Sequence, residues 1–358
     1  MVDGHEDLAW NALTFDRDYL QPAWATRQRE AGGAVPSQNG QATLGFAEWI
    51  LGRIAVVCAT LFASPLRRKA GRWDTLCYAA PAQAQEIYRR ELEYYRRWVG
   101  DSQGRLLLIA TRGDLEAIRA AWREEDLTRR KVGLVLLMEG AEGILDPGEA
   151  ETWYEGGLRI LGPAWAGNQY CGGTREPGPL TPEGYQLLKA MDPLHMILDL
   201  SHMAEQSVRE ALEVYPGPVA ASHSNARALL QGSAWPDRHL SAEMIRALAE
   251  RGGVMGLVLG NAFLKGGWTP ADGKQAVSLE RLCDQVDYVC QLIGNSQRVA
   301  LGSDLDGGFG LEAIPREIDT AADLLKLDRR LQDRGFPEVD RRNILGGNWL
   351  RLLRLALP

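Results

Sequence analysis

The feature that most restricts the fold is a recurrence: short runs of Val, Ile and Leu, each separated from the next by a longer stretch with helical periodicity. Strands buried on both faces read as continuous apolar runs, because crossover helices cover the two sides of a parallel sheet. Eight runs fit, at residues 1–7, 54–62, 132–139, 158–165, 195–201, 218–223, 253–259 and 298–304. A ninth, 106–109, precedes a helix expected to begin near Asp114 and is read as an accessory strand. Strands alternating with helices in this number predict a TIM-like (β/α)8 barrel, and 358 residues, 45% of them hydrophobic, accommodate a single such domain over 1–358 as well as they would two smaller ones.

The helices carry their own signals. Leu282, Val286, Val289 and Ile293 form one apolar stripe, with Ser278 expected as N-cap and Gly294 as the stop. Tyr88, Leu92, Tyr95 and Val99 form another, opposite a solvated face of Arg89, Arg90, Glu93, Arg96 and Arg97. Thr181 before Pro182, and Ser241 before Glu243, mark further helix starts. Segments 10–45, 166–180 and 265–277 are rich in Gly, Pro or polar residues and are read as irregular. Each follows a strand end, the active-site side of a β/α barrel, so all three are expected to roof a substrate pocket.

Charge narrows the function. With 40 basic against 47 acidic residues the net charge is −7, which leaves no electrostatic footprint for nucleic acid or an anionic membrane. The N-terminal residues show no basic region followed by an apolar one, and no run approaches the roughly 20 apolar residues a spanning helix needs. Five cysteines without CxxC spacing argue against a disulfide framework or a thiolate metal site. The expectation is a cytoplasmic protein with free thiols, acting on small molecules.

Histidine placement carries the chemistry. Only five histidines exist, and His5, His202 and His223 fall near strand C-termini. His5 and Asp7 are two apart, so an extended chain presents them on one face, able to grip one cation. Glu139 closes the apolar run from Gly133 to Met138, where a carboxylate is costly unless a cation compensates it. Asp304 follows the last strand, with Asp306 two residues on. Strand ends of one barrel thus deliver His, Asp, Glu, His, His and Asp to one mouth, which points to a metal site. Imidazole and carboxylate donors suit zinc, with manganese, iron or cobalt as other choices. Two such ions bridged by a carboxylate and a water would make a nucleophile at neutral pH. No GxSxG or GxGxxG motif supports a serine nucleophile or a dinucleotide.

These residues resemble the membrane (renal) dipeptidase family of dinuclear zinc peptidases. Asp3-Gly-His-Glu-Asp-Leu, Met138-Glu-Gly, Asp199-Leu-Ser-His, Ala221-Ser-His-Ser, Gly302-Ser-Asp-Leu-Asp-Gly and Ile344-Leu-Gly-Gly-Asn-Trp-Leu-Arg occur in family order over essentially the whole chain. The resemblance implies a distorted TIM-like (β/α)8 barrel in which His5 and Asp7 bind one zinc, His202 and His223 the other, and Glu139 both. It further implies that Asp304 faces the bridging water and the substrate amino group, and that Arg238 pairs with the substrate carboxylate. Read alone, Arg238 is an ordinary loop arginine. Two departures stand out. Where the family has Thr-His-Asn after its fourth strand this chain has Ala164-Trp165-Ala166, so an indole replaces the imidazole that would polarise the scissile carbonyl. The seventh strand also lacks the family's aromatic residue, with Gly260 nearest.

The expectation is a metal-dependent dipeptidase with Glu139 and Asp304 catalytic, Arg238 and Trp165 bounding the pocket, two Zn2+ as cofactors and a short dipeptide as partner; a homodimer follows only from the family. The departures keep two alternatives open: an amidohydrolase acting on a lactam or N-acyl amino acid, and a non-catalytic metal-binding barrel.

Overall fold

The computed structural model describes residues Met1–Pro358. All eight expected strands form: β1 (Val2–Glu6), β2 (Val56–Phe62), β3 (Val132–Glu139), β4 (Leu158–Gly162), β5 (Ile197–Asp199), β6 (Val219–Ala221), β7 (Val254–Leu257) and β8 (Val299–Leu301). They are parallel and pair in chain order, and β1 closes the barrel onto β8 through Asp3 and Leu301. The run Leu106–Leu108 is an accessory strand, paired with the lower part of β3 while β4 takes the upper part.

Strand parity explains where core ends and site begins. Cys58, Leu137, Ile160, Ile197, Ala220, Val254 and Ala300 belong to one buried apolar cluster, separate from the larger one that joins strands to outer helices. Trp349, Leu352 and Leu353 of the helix Asn348–Ala356 complete that cluster. Two residues further along each strand, on the same face by the period of two, stand Thr60, Glu139, Gly162, Asp199, Ser222, Gly256 and Gly302. The interior therefore changes from apolar floor to polar mouth within one step per strand. Gly256 and Gly302 let the wall pinch inward: a Cβ on either would lie 2.0 or 1.8 Å from the Ser222 carbonyl oxygen.

Several local expectations change. The 10–45 segment is not irregular: it carries helices Leu8–Phe15, Ala23–Glu30 and Val35–Asn39. The 166–180 segment holds a hairpin of Cys171–Gly173 with Glu176–Leu180. The helix expected near Asp114 starts at Arg112, with Thr111 as N-cap and Asp114 returning a bond to it. Thr181 and Ser241 cap their helices as expected. Ser278 does not cap: that helix runs Glu280–Ile293, and the Leu279 N–H donates to Glu317 Oε2 at 2.9 Å. Gly294 ends it in the left-handed conformation.

One buried ion network fastens the 10–45 segment to the barrel. Arg17, fully buried, bonds Glu30 Oε1 at 2.9 Å and lies 3.3 Å from Asp306 Oδ2. Asp306 Oδ1 accepts from the N–H and hydroxyl of Thr43 at 2.8 and 2.7 Å. Removing the guanidinium strands two buried carboxylates. Arg17→Met is therefore expected to lower the unfolding free energy by about 3 kcal/mol, read by urea denaturation; a loss below about 1 kcal/mol would mean the network is not desolvated as drawn.

Candidate active site and metal centre

The structure brings all six strand-end donors together. His5 Nε2 lies 3.7 Å from Asp7 Oδ1 and 3.6 Å from Glu139 Oε2. His202 and His223 reach the other oxygen of the same carboxylate, Glu139 Oε1, at 3.0 and 3.3 Å. Donor atoms of His5, His223 and Asp304 also fall within 4.8 Å of one another. Glu139 thus stands between two groups, with one oxygen toward each.

Backbone strain gathers here. His202, Asp304 and Asp306 have φ of 66°, 57° and 63°, the left-handed region that non-glycine residues rarely adopt. His202 and Asp304 lie just beyond the ends of β5 and β8, where the turn keeps their side chains at the mouth, whereas Asp306 points into the buried network with Arg17 and Thr43.

Hydroxyls that the sequence offered only as residue types orient the imidazoles. Ser222 Oγ donates to Asp199 Oδ2 at 2.5 Å and lies 2.8 Å from His223 Nδ1 and 3.2 Å from His5 Nδ1. With its own proton committed to Asp199, that oxygen accepts from both rings. This fixes Nδ1–H tautomers and turns both Nε2 lone pairs inward. Thr174 Oγ1 holds His202 Nδ1 at 3.0 Å, and Thr60 donates to Asp7 Oδ1. Asp199, Ser222, Thr174 and Thr60 were missed by sequence reading; the serine before each histidine was the available signal.

A divalent cation fits this arrangement. His5 Nε2 is buried without a hydrogen-bond partner, and His202 Nε2 and His223 Nε2 face each other at 3.0 Å, where two lone pairs repel unless a cation lies between. Burial opposes charge on His5, yet the carboxylates of Glu139 and Asp7 hold its pKa well above the usual value. Burial and Arg238 bring His202 down to about 4, and burial with His5 and Arg238 lowers His223. Burial raises Glu139 in isolation, but the three imidazoles hold it well below the carboxylate range. The site keeps an anion beside two imidazoles held neutral, His202 and His223, and favours positive charge at His5, a balance that a zinc-like ion would supply in place of the proton.

A cavity of ≈ 260 Å³ opens above these groups. Trp10, Phe62, Trp73 and Trp165 line it on the β1, β2 and β4 side. Trp165 lies 5.4 Å from the Phe62 ring and 5.9 Å from His202 between centroids. Arg238, Trp235, Phe263 and Arg175 line it elsewhere. Arg238 is buried, bonding Ser224 Oγ at 3.1 Å and the His223 carbonyl at 2.6 Å. Gly260 is not itself in the wall, but Phe263, three residues on, supplies an aromatic face there. The 10–45 and 166–180 segments reach the cavity through Trp10, Gln38, Thr174 and Arg175. The 265–277 segment contributes nothing to it and instead packs along 316–318, where the Arg316 N–H donates to the Val277 carbonyl. Residues 64–74 take a place in the wall that the sequence did not suggest.

A closed parallel barrel with imidazole and carboxylate donors at its C-terminal mouth defines a metallohydrolase. The chain belongs to the membrane dipeptidase family, peptidase family M19, whose sequence profile matches residues 1–356. It is a hydrolase of the metallo-dipeptidase class. A Klebsiella pneumoniae protein of the pqqA 5′ region is 31% identical over 288 residues, covering 77% of this chain and 98% of that one. The dipeptidase aclJ of Aspergillus oryzae is 32% identical over 176 residues, 49% of this chain and 39% of the relative. A Rhodobacter sphaeroides metallopeptidase, solved with a phosphinate mimic of L-Ala-D-Ala, superposes with a TM-score of 0.80 at 22% identity, over 99% of this chain and 98% of that one. No helix is long and apolar enough to cross a membrane.

Proposed function

We propose that residues 1–358 act as one barrel domain that hydrolyses dipeptides with both termini free. His5 and Asp7 would hold one zinc ion, His202 and His223 a second, and Glu139 would bridge them. The observation that carries this reading is the division of the Glu139 carboxylate, Oε2 toward His5 and Oε1 toward His202 and His223. Bound there, the cations would supply Lewis acidity, polarising the peptide carbonyl and acidifying the attacking water.

The remaining work falls to the chain's own side chains. Asp304, raised well above the usual carboxylate range by burial with Asp7 and Glu139 nearby, is suited to take a proton and to hold the substrate ammonium. Arg238 directs what is left of its guanidinium fork at the terminal carboxylate. Trp165 cannot replace an imidazole as an acid; with Phe62 it makes an apolar wall that excludes water and positions the substrate. Five free cysteines support a reducing compartment such as the cytoplasm.

The test is hydrolysis of a dipeptide panel by zinc-loaded protein with a chelated control. It includes D residues at the C-terminal position, because the Rhodobacter sphaeroides relative was solved with an L-Ala-D-Ala mimic. Release of free amino acids that chelation abolishes is the expected result. Metal-loaded protein that leaves every dipeptide intact while cleaving an N-acyl amino acid or a lactam would overturn it.

A further inference from the structure

Arg175 is fixed at the cavity in a way that peptide-bond cleavage alone does not require. It stands at the turn between Cys171–Gly173 and Glu176–Leu180 with φ of 64°, a conformation unfavourable for a residue with a Cβ. Its N–H donates to Asp237 Oδ2 at 2.8 Å, which ties the turn to the loop carrying Arg238. Its guanidinium stacks on Trp235, 4.3 Å from the ring centroid. Neighbouring Arg67 and Arg68 are both occupied by Glu176, at 2.6 and 2.7 Å, whereas no carboxylate oxygen lies within 4.0 Å of the Arg175 guanidinium. A cation is thus held over an indole, lining the cavity, with no carboxylate of the protein on its guanidinium.

We propose that Arg175 binds a second carboxylate of the substrate, carried on the side chain of its C-terminal residue, so that dipeptides ending in glutamate or aspartate are preferred. This rests on the reading of Arg238 as partner of the terminal carboxylate. Given that anchor, the C-terminal residue lies beside the 235–238 loop, and Arg175 is bonded to and stacked on that same loop. Across the barrel the N-terminal residue would meet Trp10, Phe62, Trp73 and Trp165, which offer no cation, and Arg68, which also lines the cavity, is already paired with Glu176. Asp237, close to Arg175 through its backbone bond, weakens the local field without occupying the guanidinium. A planar fork fixed by stacking suits bidentate contact with a carboxylate better than a mobile ammonium does.

The experiment compares kcat/KM for dipeptides ending in Glu against Gln and in Asp against Asn, in both configurations, using zinc-loaded protein. The acid is expected to exceed its isosteric amide by about tenfold, with the ratio shrinking as salt is added. In Arg175→Met the ratio should fall to near one, and in Arg175→Glu it should invert. An acid-to-amide ratio of one in the unaltered protein, or a preference that survives Arg175→Met, overturns the proposal while leaving dipeptide hydrolysis intact. Calorimetric binding of free glutamate against glutamine reads the same subsite without turnover. Preference for glutamate that is lost in Arg175→Met supports it; equal binding overturns it even if no dipeptide is cleaved.

Discussion

Replacing Glu139 by glutamine is expected to reduce kcat by at least about 10³-fold and to release metal from the protein. Orienting residues that only support a metal ligand typically contribute about 10- to 100-fold in affinity or activity; a carboxylate offered to two cations at once should count for more. Here both oxygens are in use, one facing His5 and the other facing His202 and His223. An amide presents one oxygen and one NH2, so one group of donors would face a hydrogen-bond donor where it now faces an anion. The change is isosteric at the buried end of β3, so the fold should survive, and circular dichroism separates loss of function from loss of structure. Turnover and elemental metal content, measured on the same preparation, decide it. Retention of both near unaltered levels would remove Glu139 from the centre of the site.

How much of this was legible follows from where each interaction lies along the chain. The eight strands could be read because burial on both faces writes itself into consecutive residues, as in Val132–Glu139, where every position is buried. Their ends were read too long: 195–201 narrows to Ile197–Asp199, because the chain leaves the sheet before His202 turns into the left-handed region. His202, His223 and Asp304 likewise lie beyond the ends of β5, β6 and β8, so the site was legible as residue types after strands, while its geometry was not. Helices in 10–45 were overlooked because they are short and all three lack a side-chain cap; the segment is fastened by Arg17, Thr43 and Asp306, the last two 263 residues apart. Ser222 pairs with His5 across 217 residues, and no local pattern predicts that contact. The expected roof at 265–277 failed for a related reason: following a strand end puts a segment on the correct side of the barrel but does not say which neighbour it will pack against.

Arg238 gives the second large effect, and it tests the direction in which substrate lies. Removing one partner of a buried, hydrogen-bonded charge pair generally costs 2–5 kcal/mol, so Arg238→Met is expected to lower kcat/KM by about 10²- to 10³-fold for a dipeptide with a free C-terminus. A comparison with the dipeptide amide makes the result specific. The unaltered protein should favour the free carboxylate over the carboxamide by a similar factor, and Arg238→Met should bring the two substrates close to parity. Arg238→Lys should not restore the preference. The guanidinium already gives one nitrogen to Ser224 Oγ and another to the His223 carbonyl, and an ammonium on a flexible stem cannot keep both bonds while holding a carboxylate flat. Because His223 is one of the two residues so tethered, metal content must be measured alongside. Loss of zinc in Arg238→Met with the carboxylate preference intact would make Arg238 a support for the His223 backbone. Full metal content with the preference gone would place it against the substrate.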